Sequence, residues 1–412
     1  MKINTLQSYI DESFTIGDGN RCWILRDKSL PVVKLDILVH TGRYQESKKL
    51  TSRTVAALCK EGTVSFTSKQ IAEKLDYYGI SMKNPIYMDA TQFSFYALSK
   101  NLIQIKELIK ELIYNPIFPT TELEIFKNRW MERLRIDAKK NDIVAYREFT
   151  SMLYGKDHPY GYNSNEKILK DITKADLAHY HKQNFRSGID IIISGNVTDK
   201  IVDAVRSIIK PAEVKDENAA REQDIITEIG EKKIEVEGSS QTAIRLGKIL
   251  PQELRDSGEE MAQFSIMNTI LGGYFGSRLM ANIRENKGYS YGVYSNIEKL
   301  KRSTFLSIAC ETDQKNVEKT IVEINKEVSK IKTELVGEKE LDMVKNYIKG
   351  TLLQNTDGKL KTSEILKDYL IEGTDEKYFN VEIEIINSIN SKGIRDSAEK
   401  YLQGDWSTVV IS

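Results

Sequence analysis

Cysteine and histidine are the scarcest chemistry-bearing residues in this 412-residue chain, with three Cys and four His. Cys22, Cys59 and Cys310 stand far apart, with no C-x-x-C and no neighbouring His, which fits isolated, buried thiols in a reducing compartment. The histidines offer no ligand spacing either. His179 and His181 form an H-x-H, but the segment beginning at Thr173 reads as a helix with a capping-box start, and positions i and i+2 do not share a helix face. Net charge is also missing, because 60 Lys and Arg balance 60 Asp and Glu. No long-range field then draws nucleic acid or an anionic membrane, and neither is expected as a partner. Nowhere do about 18 apolar residues run together, and the first residues carry no apolar run of signal-peptide length. A cytoplasmic address is the expectation.

What is present describes an ordinary globular protein, 40% hydrophobic and 29% charged, long enough for about two to four domains. Its organising feature is a duplication with an offset of roughly 210 to 218 residues, too long for a solenoid. A helical stretch at 176–185 precedes the apolar run Ile191-Ile192-Ile193-Ser194, and one at 394–402 precedes Val409-Val410-Ile411-Ser412. The helical stripe Leu102, Ile105, Leu108, Ile109, Leu112 is matched by Val317, Ile321, Ile324, Val328. Each stripe follows an alternating, strand-like segment, 92–98 and 304–309, and an earlier strand opens each half, 32–40 and 241–246. Between the halves, 211–224 is charged and almost free of large apolar residues, so it reads as a linker that permits hinge motion. Strands and helices without strict β-α-β alternation predict the α+β class. The expected architecture is two homologous domains, 1–210 and 225–412, each a mainly antiparallel sheet with helices packed on it.

Residues 271–295 run Leu-Gly-Gly-Tyr-Phe-Gly-Ser-Arg-Leu-Met-Ala-Asn-Ile-Arg-Glu-Asn-Lys-Gly-Tyr-Ser-Tyr-Gly-Val-Tyr-Ser. By residue type this is a Gly-rich loop, a short amphipathic helix on Leu279 and Ile283, and a strand with Tyr291, Val293 and Ser295 on one face. Gly272, Gly273 and Gly276 miss the G-x-G-x-x-G spacing of a dinucleotide site. The segment closely resembles the second-domain signature of the pitrilysin/insulinase-type metallopeptidases, the group that includes mitochondrial processing peptidase and its bacterial relatives. His40-Thr-Gly-Arg-Tyr-Gln-Glu46 resembles the opening of the family's first domain, and Gly62-Thr63 the turn after its metal helix. The resemblance covers nearly the whole chain and implies duplicated α+β halves forming one clam-like unit.

In active members of that family, an H-x-x-E-H motif before the Gly-Thr turn supplies two zinc ligands and the base that activates water. Here the equivalent stretch is Arg53-Thr54-Val55-Ala56-Ala57, so both ligands and the base are absent. Glu132 falls near the position of the family's third ligand, yet one carboxylate does not hold a zinc that needs about three protein ligands. Taken alone, Glu132 reads as a surface or ion-paired residue on a long helix. Arg53 either fills the vacated space against a carboxylate or is a solvated helix position. No cofactor is expected in this chain, and zinc is expected on a partner.

Arg284 and Tyr291 are seven residues apart, as the family's substrate-contacting Arg and Tyr are. The resemblance implies that a Tyr hydroxyl there stabilises the charge growing on the scissile carbonyl oxygen, while the Arg fork grips a substrate carbonyl. Gly272 and Gly273 are assigned to substrate binding in the adjoining loop. Without the resemblance, Arg284 reads as a surface residue at a helix C-terminus and Tyr291 as a strand packing residue, as Tyr289 and Tyr294 do.

Loss of the zinc motif beside a retained Arg/Tyr pair implies the non-zinc-binding subunit of a heterodimeric metalloendopeptidase. Its partner would be a homologous subunit bearing H-x-x-E-H and its substrate an extended peptide. The alternative is a non-catalytic peptide-binding or scaffold homologue, homodimeric in one form. A peptidase with an unrecognised metal site of its own is a third reading, weakened by the scattered histidines.

Overall fold

The structure is a computed structural model that describes residues 4–17, 19–186, 188–211, 224–236 and 241–412. The proposed linker, apart from Pro211 and Asp224, lies outside the described residues. Two sheets carry an α+β fold. The first comprises β1 (Glu12–Ile16), β2 (Asn20–Arg26), β3 (Val32–Val39), β4 (Ser81–Lys83), β5 (Thr91–Leu98) and β6 (Ile189–Gly195), in the order β1-β2-β6-β3-β5-β4. The second comprises β7 (Gly230–Ile234), β8 (Thr242–Leu250), β9 (Ser290–Leu300), β10 (Ser303–Thr312) and β11 (Ser407–Ile411), in the order β7-β11-β8-β10-β9. With β1 set aside the two orders are the same. In each sheet the pairing is antiparallel except at one place, β2 with β6 and β7 with β11. The duplication expected from the sequence is thus a duplication of topology.

The run Ile191-Ile192-Ile193 is apolar at every position because β6 is covered on both faces. Ile191 and Ile193 join one core with helices Lys106–Tyr114 and Lys174–Asn184, whereas Ile192 joins another. That second core contains Leu366 and Leu370, from helix Lys359–Glu372 of the second half. A reciprocal arrangement occurs on the other sheet. Helix Asn141–Tyr154, from the first half, packs on β8 and β11, with Ala145 and Phe149 fully buried against Ala243, Phe305, Val409 and Ile411. Gly247 permits the approach, since a Cβ there would lie 2.8 Å from Cζ of Phe149. Lys359 lies 218 residues after Asn141, so the exchanged helices are the same element of the repeat. Their exchange opposes the hinge motion expected of the linker.

Local signals account for most element ends. Thr67 and Gln70 form the anticipated capping box, Thr173 and Asp176 form another, and Gly79 ends its helix at φ +61°. The helical stripe before Asn115 is broken by a 3-10 turn at Ile103–Ile105, so its main helix is Lys106–Tyr114. All three cysteines are buried and free, and burial pushes the Cys22 thiol up to about 12 and that of Cys310 to about 11.

His179 is exposed and His181 buried, as expected of positions that do not share a face. His181 Nε2 donates to the Ile113 carbonyl at 2.8 Å, and His158 Nδ1 accepts from the Tyr160 amide at 3.1 Å. Burial lowers both imidazoles to about 4. A depressed histidine favours the fold above its unfolded pKa, near 6.5, and this contribution is lost as pH falls toward 4. Stability should therefore drop between pH 6.5 and 4 by on the order of 2–3 kcal/mol per imidazole. Asn at 158 keeps an acceptor and Gln at 181 keeps a donor, so the double variant should show a flatter acid limb in urea midpoints measured against pH. An unchanged limb would contradict the assignment.

Candidate functional site

The helix that replaces the metal motif is Thr51–Leu58, with Ala56 buried and Ala57 half-buried. Arg53 projects from it and lies over the ring of Trp130, its guanidinium carbon 4.5 Å from the ring centroid. This is neither of the two arrangements expected: the side chain is half-buried and stacked, and its Nε has no hydrogen-bond partner. Desolvation lowers its pKa from the usual arginine value. Glu132 lies on the same helix as Trp130, Thr120–Asp137, but is exposed and 3.6 Å from Arg135. A stacked guanidinium and two alanines provide no donor set for zinc. Among the described residues, no group of three or more His, Cys, Asp or Glu is arranged to hold a metal.

The Gly-rich segment is built differently from the short α-helix expected. Thr269–Gly273 and Met280–Asn286 are both π-helical, and Lys287 N–H donates to Asn282 O, five residues back, at 3.0 Å. Such wide turns are uncommon and recur at functional sites. Several contacts hold them. Arg278 pairs with Glu340 through two 2.8 Å bonds, Asn282 donates to Glu323 and Glu327 at 2.8 Å, and Asn268 donates to the Ser295 carbonyl at 3.0 Å. Gly272 is buried beneath β9, where a Cβ would lie 2.6 Å from that of Ser295, whereas Gly273 is exposed. Arg284 leaves the second π turn and lies 4.5 Å from the ring centroid of Phe275, which is itself 58% exposed.

Tyr291 stands at the start of β9, the edge strand of its sheet. Val293 pairs with Cys310 and Ser290 with Thr312, so Tyr291 and Gly292 together face the single residue Glu311. This is a β-bulge, a device that re-aims a side chain and is common beside active sites. Ser290 Oγ fixes it, accepting from Gly292 N–H at 3.0 Å and lying 2.6 Å from the Glu311 carbonyl. As a result Tyr291 is 87% exposed and does not share the buried face of Val293 and Ser295, which corrects the single face expected from alternation. Tyr291 lines a cleft of about 330 Å³ with Tyr294, Arg245 and, from the exchanged helix of the first half, Asp142. Tyr289 packs on the core, but Tyr294 is 45% exposed, which corrects the expectation that it packs. The isolated glycine at 292 within a strand pattern was the available signal for the bulge. Nothing local marks Phe275 as the platform under Arg284.

Residues 171–348 match the family model described as "Peptidase M16 inactive domain". The chain is 23% identical over 408 residues to an "Uncharacterized zinc protease YmxG" of Bacillus subtilis, with 97% of each chain covered. It is also 23% identical over 308 residues to a "Non-peptidase homolog YmxG" of Helicobacter pylori, covering 73% of this chain and 69% of that one. The solved structure of a peptidase M16 inactive domain from Pseudomonas fluorescens has the same fold, with a TM-score of 0.84 at 22% identity over 97% of both chains. Together with the motifs in residues 271–295, these likenesses make the chain similar to the M16 peptidases, through an inactive-domain match at residues 171–348 and a first half that has no H-x-x-E-H motif.

Proposed function

We propose that this chain is the non-zinc-binding subunit of a heterodimeric metalloendopeptidase, and that Tyr291 and Arg284 serve peptide-bond hydrolysis centred on the zinc of a homologous partner. The observation that carries the reading is the bulge on β9. It holds Tyr291 out of the core and 87% exposed, in a chain that has no zinc ligands of its own at Arg53, Ala56 and Ala57. A phenol without a packing role is available to donate to the oxygen on which negative charge develops, and a water-poor interface strengthens such a bond. Arg284, stacked on Phe275, keeps its fork free for a peptide carbonyl. Exposed Gly273 borders the same loop and is assigned to the peptide path, whereas Gly272, buried against Ser295, serves it only by letting the turn pack under β9. The halves 1–210 and 225–412, joined by 211–224, act in this reading as two domains of one rigid clam half, so the chamber closes between subunits. Free, buried cysteines accord with a cytoplasmic address.

The test is reconstitution. The isolated chain should bind negligible zinc and cleave no unfolded peptide, and mixing it with a homologue that carries H-x-x-E-H should produce proteolysis greater than that of the homologue alone. Tight, stoichiometric zinc in the single chain would refute the proposal. A second reading, a non-catalytic peptide-binding or scaffold protein, is favoured by the name of the Helicobacter relative, a non-peptidase homologue. Under it, no mixture gains activity.

A further inference from the structure

A cavity of about 630 Å³ lies away from Tyr291, at the seam between the halves. Its size is that of a small-molecule site. The first half contributes the Arg21–Asp190 pair, His40 just past β3, Gly19 and Gly188, and the second half contributes the β9–β10 hairpin and helices after residue 251 with the loop at 373–375. The charges of this wall divide into two sets. Asp190 is taken up by Arg21, through bonds of 2.8 and 2.6 Å, and by His40 Nε2 at 2.7 Å. Glu372 faces Lys299 at 3.7 Å, Asp256 accepts from Gln252, and Asp375 accepts from the backbone N–H of Lys377. Arg255, Lys301 and Lys377 are left with no carboxylate in ion-pair contact among the described residues.

Polar atoms without partners lie on the same wall. Thr304 is 2% exposed and its hydroxyl has no hydrogen-bond partner, and His40 Nδ1 is likewise buried and unpaired. Glu372 Oε2, 3.7 Å from Lys299, is a third such atom, and because buried polar groups are satisfied in most proteins, three orphans on one cavity point to a missing hydrogen-bonding partner there. Lys377 is also the N-cap of helix Tyr378–Ser388, which has no side-chain cap and no acidic residue in its first turn. The Asp375 carboxylate, which accepts from the Lys377 N–H, lies at the positive end of that helix and offsets part of its dipole.

We propose that this cavity is a binding site for a small anion bearing carboxylate or phosphate groups, held by Arg255, Lys301 and Lys377 and hydrogen-bonded at its inner end by Thr304. Because the wall is drawn from both halves, the ligand would tie them together and raise the stability of the whole chain. The site is separate from the Arg284/Tyr291 region and does not depend on the function proposed for it.

Calorimetric titration of the full chain at constant ionic strength, with inorganic phosphate in one arm and citrate in the other, tests the site. The expected result is one saturable site per chain for at least one probe, and the tighter arm identifies phosphate or carboxylate chemistry. The triple variant Arg255→Ala, Lys301→Ala, Lys377→Ala should weaken binding at least ~10-fold, the effect of losing about one charged contact. Thr304→Val should weaken it several-fold. The bound probe should also raise the Tm of the native chain by roughly 3–5 °C at saturating concentration, with no rise in the triple variant. If the triple variant does not fold, Lys377→Ala alone carries the comparison. Absence of saturable binding in both arms, or equal affinity in native and variant chains, would overturn the proposal.

Discussion

Replacing Tyr291 by Phe should lower kcat of the reconstituted pair by about 10²–10³-fold while KM stays within about twofold. The substitution removes one oxygen and keeps the ring. Tyr291 is 87% exposed, and no side-chain hydrogen bond from it is found among the described residues, so stability should be unchanged. A loss confined to turnover is what a donor to developing charge predicts, since it binds the transition state better than the substrate. Arg284→Ala should act on the other parameter. Its fork grips a carbonyl in substrate and transition state alike, so KM should rise with a smaller change in kcat. Single-turnover kinetics on the two variants separate these effects. Full activity in Tyr291→Phe would leave the bulge on β9 without a chemical purpose and would favour the scaffold reading.

The second large effect concerns stability. Residues 1–211 produced alone should not fold cooperatively, because helix Asn141–Tyr154 would lose β8 and β11 as its support and the first sheet would lose helix Lys359–Glu372. Co-production with residues 212–412 should restore a one-to-one complex, since each piece covers the other's apolar face. Within the intact chain, Phe149→Ala should cost about 3–5 kcal/mol. Its ring is fully buried, edge-on to Phe305 at a centroid distance of 6.2 Å. Urea unfolding followed by fluorescence and by circular dichroism should give coincident transitions in the native chain. Two separate transitions, or a cooperatively folded 1–211 fragment, would show that the helix exchange is not what holds the halves together.

The residues at 67–70 and 173–176 specify their own helix starts, because a cap is a contact between neighbours in the chain. The loss of the metal motif at Arg53, Ala56 and Ala57 is equally local, and so is the spacing of Arg284 and Tyr291. The π turns around Gly272 and Arg284 were not legible, because the residues that stabilise them, Glu323, Glu327 and Glu340, lie tens of positions downstream.

The amino-acid sequence by itself determined that two similar α+β halves exist, in what order their strands and helices run, and that the first cannot build the family's zinc site. Only the tertiary structure decided which half each helix covers, how far Tyr291 stands out of its sheet, and where unpaired charge gathers. Helical and strand periodicity state that a face is buried, but they do not say against what. The faces of Asn141–Tyr154 and Lys359–Glu372 are satisfied by sheets on the opposite side of the molecule, through contacts between residues more than 90 positions apart. The stretch Arg53-Thr54-Val55-Ala56-Ala57, visible at once in the sequence, lacks the ligands of H-x-x-E-H. The cavity at the seam, assembled from segments around residues 21, 40, 190, 255, 301 and 377, exists only when the chain is folded.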